Sequence, residues 1–239
     1  RELDEARGRN AAAGVFDAVE SLDGGPRRRS FGDLFRHAAE RFAGATCVVA
    51  NSDIAFDASL ALAEGLVRGP RPALVALTRW DDATGPSMEG RVDATDWRFY
   101  SHSQDAWVFV AGRLPGFAAE FLLGIPGCES RLAYEAAAAG VAVFDPALSI
   151  RTWHLHASGT RTWVRRDAYR GPLLFPRLTT VDDASGAALL CERSWWRTHE
   201  TALAATGDAH GFAAARAAGR RPGRLRLGIR SPVYVRRRP

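Results

Sequence analysis

The run Val48-Val49-Ala50-Asn51-Ser52-Asp53 passes from apolar to polar residues within two positions. A buried strand delivers side chains in this way to the open end of an α/β sheet, where such folds bind ligands. A carboxylate placed there can hold a divalent cation, and a cation can hold a diphosphate. Three further segments carry groups of the same kind. Ser103-Gln104-Asp105 leads into the apolar run Ala106–Val110, and Arg79-Trp80-Asp81 follows the apolar run Ala73–Leu77. Gly127-Cys128-Glu129-Ser130-Arg131 opens a helix-compatible stretch with an acid in its first turn, where the helix end favours an ionised carboxylate. Thr152-Trp153-His154-Leu155-His156 puts two imidazoles on one face of a strand, about 7 Å apart. Each segment also has a purely structural reading. Asn51-Ser52-Asp53 could be a surface turn, Glu129 a dipole-complementing acid, Trp80 an anchor at the core edge, and Asp57 a cap for the following helix.

Taken in order, these segments resemble the nucleotide-sugar glycosyltransferases of the GT-A fold. Asn51-Ser52-Asp53 is similar to the D-x-D site of that family, with Asn in the first position. There the last Asp binds Mg²⁺ or Mn²⁺, which bridges the donor's diphosphate. The resemblance implies that Asp53 is a metal ligand and that Asn51 and Ser52 contact the donor. The stretch from Gly127 to Val143 is similar to the family's G-x-E-D-x-x-L-x-x-R-x-x-x-x-G-y-x-V region. It implies that Glu129 is the catalytic base for an acceptor hydroxyl and puts Arg131 on the donor side. Ser130 stands where a second acid is usual, and Tyr134-Glu135 where an arginine is usual. In many members a histidine on the next strand completes the metal site shortly before a Ser-x-x-Arg stretch. Here Ser158-Gly159-Thr160-Arg161 supplies that stretch, with His156 the first choice of ligand and His154 the second. Asp105 joins Glu129 as a catalytic candidate, while Arg79, Trp80 and Asp81 line the acceptor side and Trp80 could stack on a sugar ring.

The function this implies is metal-dependent transfer of a sugar from a nucleotide-sugar donor to the hydroxyl of a glycan or other acceptor. Mn²⁺ or Mg²⁺ is the expected cofactor. With Glu129 as base the reaction inverts configuration; in a retaining enzyme Glu129 would orient the acceptor instead. A catalytically degenerate GT-A domain that binds nucleotide or glycan without turnover is the alternative. A metal-dependent hydrolase built on the two histidines is a third reading, and it lacks the further His and Asp ligands expected at other strand ends.

The elements that must position these groups alternate. Helices are expected over residues 2–13, from Phe31 to Phe42, over Ala58–Val67 and over Glu129–Ala139. Ser30 and Asp33 are spaced to cap the second of these. Strands are expected over Val15–Leu22, Thr46–Ala50, Ala73–Leu77, Ala106–Val110, Val141–Phe144 and Ser149–His156. Residues 81–105 read as a long polar loop, which with 112–126 would set specificity. This pattern predicts an α/β fold, a GT-A-like mixed sheet of Rossmann type with helices on both faces. The GT-A-like domain is expected over residues 1–165. An irregular C-terminal extension, 166–239, follows it, with one or two helices within 186–218. The family begins with a strand that cradles the nucleotide base, and Arg1–Asn10 reads as the helix after it. That first strand is therefore expected to be missing from this sequence.

Composition narrows the setting. At 239 residues and 46% hydrophobic, the chain can bury one large core. Every basic residue is arginine, and eight of the 32 lie within the last twenty residues, a stretch without acids. The remainder carries 24 arginines against 27 acids, a net charge of −3, which argues against a nucleic-acid surface. Only the tail is suited to peripheral contact with an anionic membrane. Cys47, Cys128 and Cys191 show no C-x-x-C spacing and are odd in number, which fits a reducing, cytoplasmic setting. No apolar run is long enough to span a bilayer.

Overall fold

The structure, a computed structural model, describes residues 2–22, 28–82, 85–86, 103–155, 164–184, 188–191 and 204–206. Its framework is a four-stranded mixed sheet. The strands are β1 (Thr46–Ala50), β3 (Ala73–Thr78), β6 (Gln104–Val110) and β7 (Ala142–Phe144), in the order β1-β6-β3-β7. Strand β6 runs antiparallel to both neighbours, with Val48 opposite Val108 on one side and Val75 opposite Val108 on the other. Strands β3 and β7 are parallel. Every residue of β3 and of β6 is buried, because both faces of the sheet are covered.

Alternation along the strands sends side chains into two cores. Leu74, Ala76, Trp107 and Phe109 meet α2 (Phe31–Arg41) and α4 (Cys128–Ala138) on one face. Val75, Leu77, Ala106, Val108 and Val110 meet α3 (Ala63–Val67) on the other, together with Ile54 and Phe56. Phe31 packs edge-on against Trp107, and Phe35 against Phe109, at centroid distances of 5.7 and 4.8 Å. Truncating a buried aromatic of this kind costs about 3–5 kcal/mol. Helix α2 begins as its sequence predicts. The Ser30 hydroxyl accepts from the Asp33 N–H at 3.1 Å, and the Asp33 carboxylate accepts from the Ser30 N–H at 3.0 Å. Helix α1 (Glu2–Ala12) lies along β2 (Ile54–Phe56). The Asn10 amide there donates to the Ile54 carbonyl and accepts from the Phe56 N–H.

Two smaller sheets complete the architecture. Strand β8 (Thr152–His154) pairs antiparallel with β2 and parallel with β4 (Trp80–Asp82), which turns back into β5 (Gly85–Pro86). Strand β9 (Leu173–Pro176) pairs with β10 (Ala188–Cys191), and β10 with β11 (Ala204–Thr206). Leu174 and Ala188 belong to the core under α4, so this part of the C-terminal extension packs on the body.

Several expected elements differ. Residues 15–22 form no strand; Val15 and Phe16 instead pack as an irregular segment, Phe16 edge-on to Phe56 at 5.5 Å. The expected helix over Ala58–Val67 starts as a 3-10 helix, Ala58–Leu62, and continues as α3. Asp57 caps it by accepting from the Ser59 N–H at 2.9 Å. The strand expected over Ser149–His156 is restricted to β8, because Ser149 and Ile150 close a turn onto the Pro146 carbonyl. Within 186–218 the described residues form β10 and part of a hairpin-like pairing with β11, not helices. The Ala- and Leu-rich sequence is compatible with either, and the strand edge of β9 decides. The Arg-rich tail lies outside the described residues. No helix among the described residues is long and apolar enough to cross a membrane.

Candidate functional site

The carboxyl ends of β1 and β3 and the amino end of β6 come together at one end of the main sheet. Backbone bonds fix this: Asn51 N–H donates to the Asp105 carbonyl and Arg79 N–H to the Ser103 carbonyl, each at 3.0 Å. The side chains just beyond those ends therefore converge. Asp105 is 7% exposed and is held from two sides, by Asn51 Nδ2 on Oδ1 at 2.6 Å and by an Arg79 guanidinium nitrogen on Oδ2 at 3.1 Å. Arg79, 17% exposed, also reaches Asp81 Oδ1 through Nε at 3.0 Å.

The short β2–β8 pairing adds the second half. Leu155 N–H donates to the Asp53 carbonyl, which draws the end of β8 against the Asn51-Ser52-Asp53 turn. His154 then lies between two carboxylates, Nε2 at 3.4 Å from Asp53 Oδ2 and Nδ1 at 3.1 Å from Asp81 Oδ1. Glu129 enters from the first turn of α4. That helix starts from Gly127, whose φ of 84° and close approach to the Tyr169 carbonyl suit a residue without a Cβ. Glu129 lies within electrostatic reach of Asp105 and Arg79.

Four carboxyl groups around one guanidinium and one imidazole perturb one another. Burial, and then the charge of Asp105, push the Glu129 carboxyl up to about 8. Burial also raises Asp105, against the opposing pull of Arg79 and His154. For His154, burial acts downward, but the hydrogen bond and charge of Asp53, with the charge of Asp105, outweigh it and leave the imidazole above its usual value. Perturbed groups of this kind concentrate where chemistry is done.

The sequence-derived residues divide clearly. Asn51, Asp53, Arg79, Asp81, Asp105, Glu129 and His154 meet at this sheet end. Ser52 is exposed at the tip of its turn. Trp80 does not face the cluster. It alternates in direction with Arg79, just before β4, and with Asp81, donates its N–H to the Ala147 carbonyl at 2.8 Å, and packs on Trp153 and under Arg151. Arg131 is likewise turned away, since two positions along a helix rotate a side chain by about 200° from Glu129. It binds Glu135 and the Pro172 carbonyl and lies over the Phe121 and Tyr134 rings. His156 and Ser158–Arg161 lie outside the described residues.

Sequence reading passed over the buried carboxylate Asp145, which closes β7. The signal was present in Phe144-Asp145-Pro146, an apolar strand ending in an acid, as at Asp53. A cation sets the spacing of its ligands. Adjacent ligands of an ion with bonds of about 2.1 Å stand about 3 Å apart, and the 3.4 Å between Asp53 Oδ2 and His154 Nε2 is close to that. Among the described residues, no group of three or more His, Cys, Asp or Glu side chains is arranged to hold a metal ion. Compared with protein-family models, curated proteins and solved structures, the chain finds no match in any of the three.

Proposed function

We propose that this protein is a metal-dependent glycosyltransferase of GT-A type, moving a sugar from a nucleotide-sugar donor to an acceptor hydroxyl. The observation that supports the reading most is the meeting of Asp53, His154, Asp105 and Glu129 at one sheet end, from segments a hundred residues apart. Asp53 and His154 would hold Mn²⁺ or Mg²⁺ together with phosphate oxygens of the donor. When bound, the ion supplies positive charge against the departing diphosphate.

The chain's own groups do the rest. Asn51 and Arg79 fix Asp105, and so fix the wall against which donor and acceptor would lie. Glu129 acts as general base. Its carboxyl, raised to about 8, is mostly protonated at neutral pH; the ionised fraction, which grows as pH rises toward that value, is the base. In the displacement the acceptor oxygen forms a bond to the anomeric carbon as the bond to the diphosphate oxygen breaks. The hydroxyl proton passes to the Glu129 carboxylate, the nucleoside diphosphate leaves with the electron pair, and configuration inverts.

The decisive experiment is a panel of nucleotide-sugars offered to the full chain with Mn²⁺ or Mg²⁺ and simple glycoside acceptors. Transfer that requires the ion and is lost in Asp53→Ala is the expected result. Thermal stabilisation by a nucleotide-sugar and ion without any product would replace this reading with that of a binding domain.

A further inference from the structure

Directly behind the site, Thr78, Gln104, Asp145 and Thr152 are polar side chains with no exposure to solvent. They form one connected node. The Asp145 carboxylate accepts from the Thr78 N–H at 3.1 Å, from the Thr78 hydroxyl, and from the Gln104 amide at 3.3 Å. The Thr152 hydroxyl donates to the Thr78 carbonyl at 3.1 Å. Three of its members stand next to or near a site residue in sequence: Thr78 precedes Arg79, Gln104 precedes Asp105, and Thr152 lies two before His154, while Asp145 comes from the end of β7.

The node also sits on an irregularity. Along β3 and β6, Leu77 pairs with Ala106 but Thr78 pairs with Gln104, so Asp105 has no partner residue on β3. Arg79 consequently bonds Ser103 rather than Gln104, and the Asp105 carbonyl serves Asn51 on the other side. An extra residue of this kind bends and twists its strand and re-aims the side chain it carries. Holding the slip requires a group that grips both strands just past it. Asp145, arriving from β7 with two acceptor oxygens, binds a backbone N–H and a hydroxyl of β3 and an amide of β6. Stability alone would be served as well by an apolar residue, since a buried carboxylate is expensive even when hydrogen-bonded.

We propose that Asp145 is a positioning residue for the candidate site, fixing through Thr78 and Gln104 the slipped register that sets Asp105 between Arg79 and Asn51. Asp145 plays this part whichever reaction the site performs.

The test reads that geometry directly in the full chain, by the ¹⁵N-edited side-chain signals of the Asn51 Nδ2 amide and of the Arg79 Nη1–H, the two groups that donate to Asp105. Both groups donate in the cluster and are expected to exchange slowly. Asp145→Asn and Thr78→Val should displace both signals and speed their hydrogen exchange by about tenfold or more. Thr78→Ser, which keeps the hydroxyl, should leave them in place, as should Val75→Ala, which weakens the same strand on its other face. Should Asp145→Asn fail to fold, the contrast between Val and Ser at position 78 decides. If the folded Asp145→Asn or Thr78→Val protein keeps both signals, or if Val and Ser at 78 behave alike, the assignment is overturned. No transfer assay enters this test, so a protein that moves no sugar leaves its outcome intact.

Discussion

Replacing Glu129 by glutamine tests the environment of the proposed base without reference to any substrate. In the folded protein its carboxyl is pushed to about 8 from an ordinary value of 4.5. The native state therefore keeps a proton that the unfolded chain releases between those two values. With more protons bound in the native state, stability must fall as pH rises through that window. One fully converted group gives a slope of about 1.4 kcal/mol per pH unit. From about pH 5.5 to about pH 7.5 the parent should lose about 2.5 kcal/mol on this account, the slope easing as the upper value is approached. For a chain of this length that corresponds to roughly 5–10 °C in melting temperature. Glutamine carries no such dependence. Asp145, raised by burial to about 7, and His154, also raised, titrate in both proteins and largely cancel in the difference. Melting curves of parent and Glu129→Gln across this range should therefore diverge, the variant gaining on the parent toward alkaline pH. Parallel curves would show that Glu129 holds no anomalous proton, and the case for it as a poised base would go with it.

The other expectations are simpler. Glu129→Gln should lower the transfer rate by about 10²–10⁴-fold in a steady-state assay, and a rate within about threefold of the parent would exclude a base role. Arg79→Met leaves Asp105 buried without its cation; chemical denaturation at neutral pH should register a loss of roughly 3–5 kcal/mol, smaller in acid, where Asp105 takes up a proton. His154 titrates above its ordinary value, so its stabilising contribution is complete below about pH 6.5 and disappears as pH rises through the folded value. Histidine NMR should find that midpoint lowered in Asp53→Asn. Ser30→Ala removes the cap of α2 and should cost about 1–2 kcal/mol in a thermal melt.

What the sequence makes legible follows from how local each signal is. The Ser30–Asp33 cap, the Thr46–Ala50 strand and the acid-led helix are set by neighbours within one or two turns, and they stand where their residue types indicate. Asp53, Asp105 and Arg79 were visible because apolar runs stop abruptly at polar residues. The node around Asp145 was not visible, since its logic lies in a register slip between strands thirty residues apart. Trp80 and Arg131 illustrate the opposite failure. Their residue types suit sugar and phosphate, but strand alternation and helix rotation turn them toward Trp153 and Glu135. The Val15–Leu22 segment alternates like a strand, yet the structure gives it no strand to pair with among the described residues; Phe16 and Val15 are used as packing alone.

The central place of β6 governs the order in which this molecule can be made. β1 and β3, though earlier in the chain, lie on either side of β6 and bond to it rather than to each other. A nascent chain that has emerged only as far as Thr78 thus holds two future neighbours with an empty slot between them. Closing that slot awaits residues 104–110, and contacts of such long sequence separation slow folding. Chain release in stages, or a chaperone guarding the two bare ribbons meanwhile, should therefore matter more to the yield of this protein than to that of one built from successive hairpins.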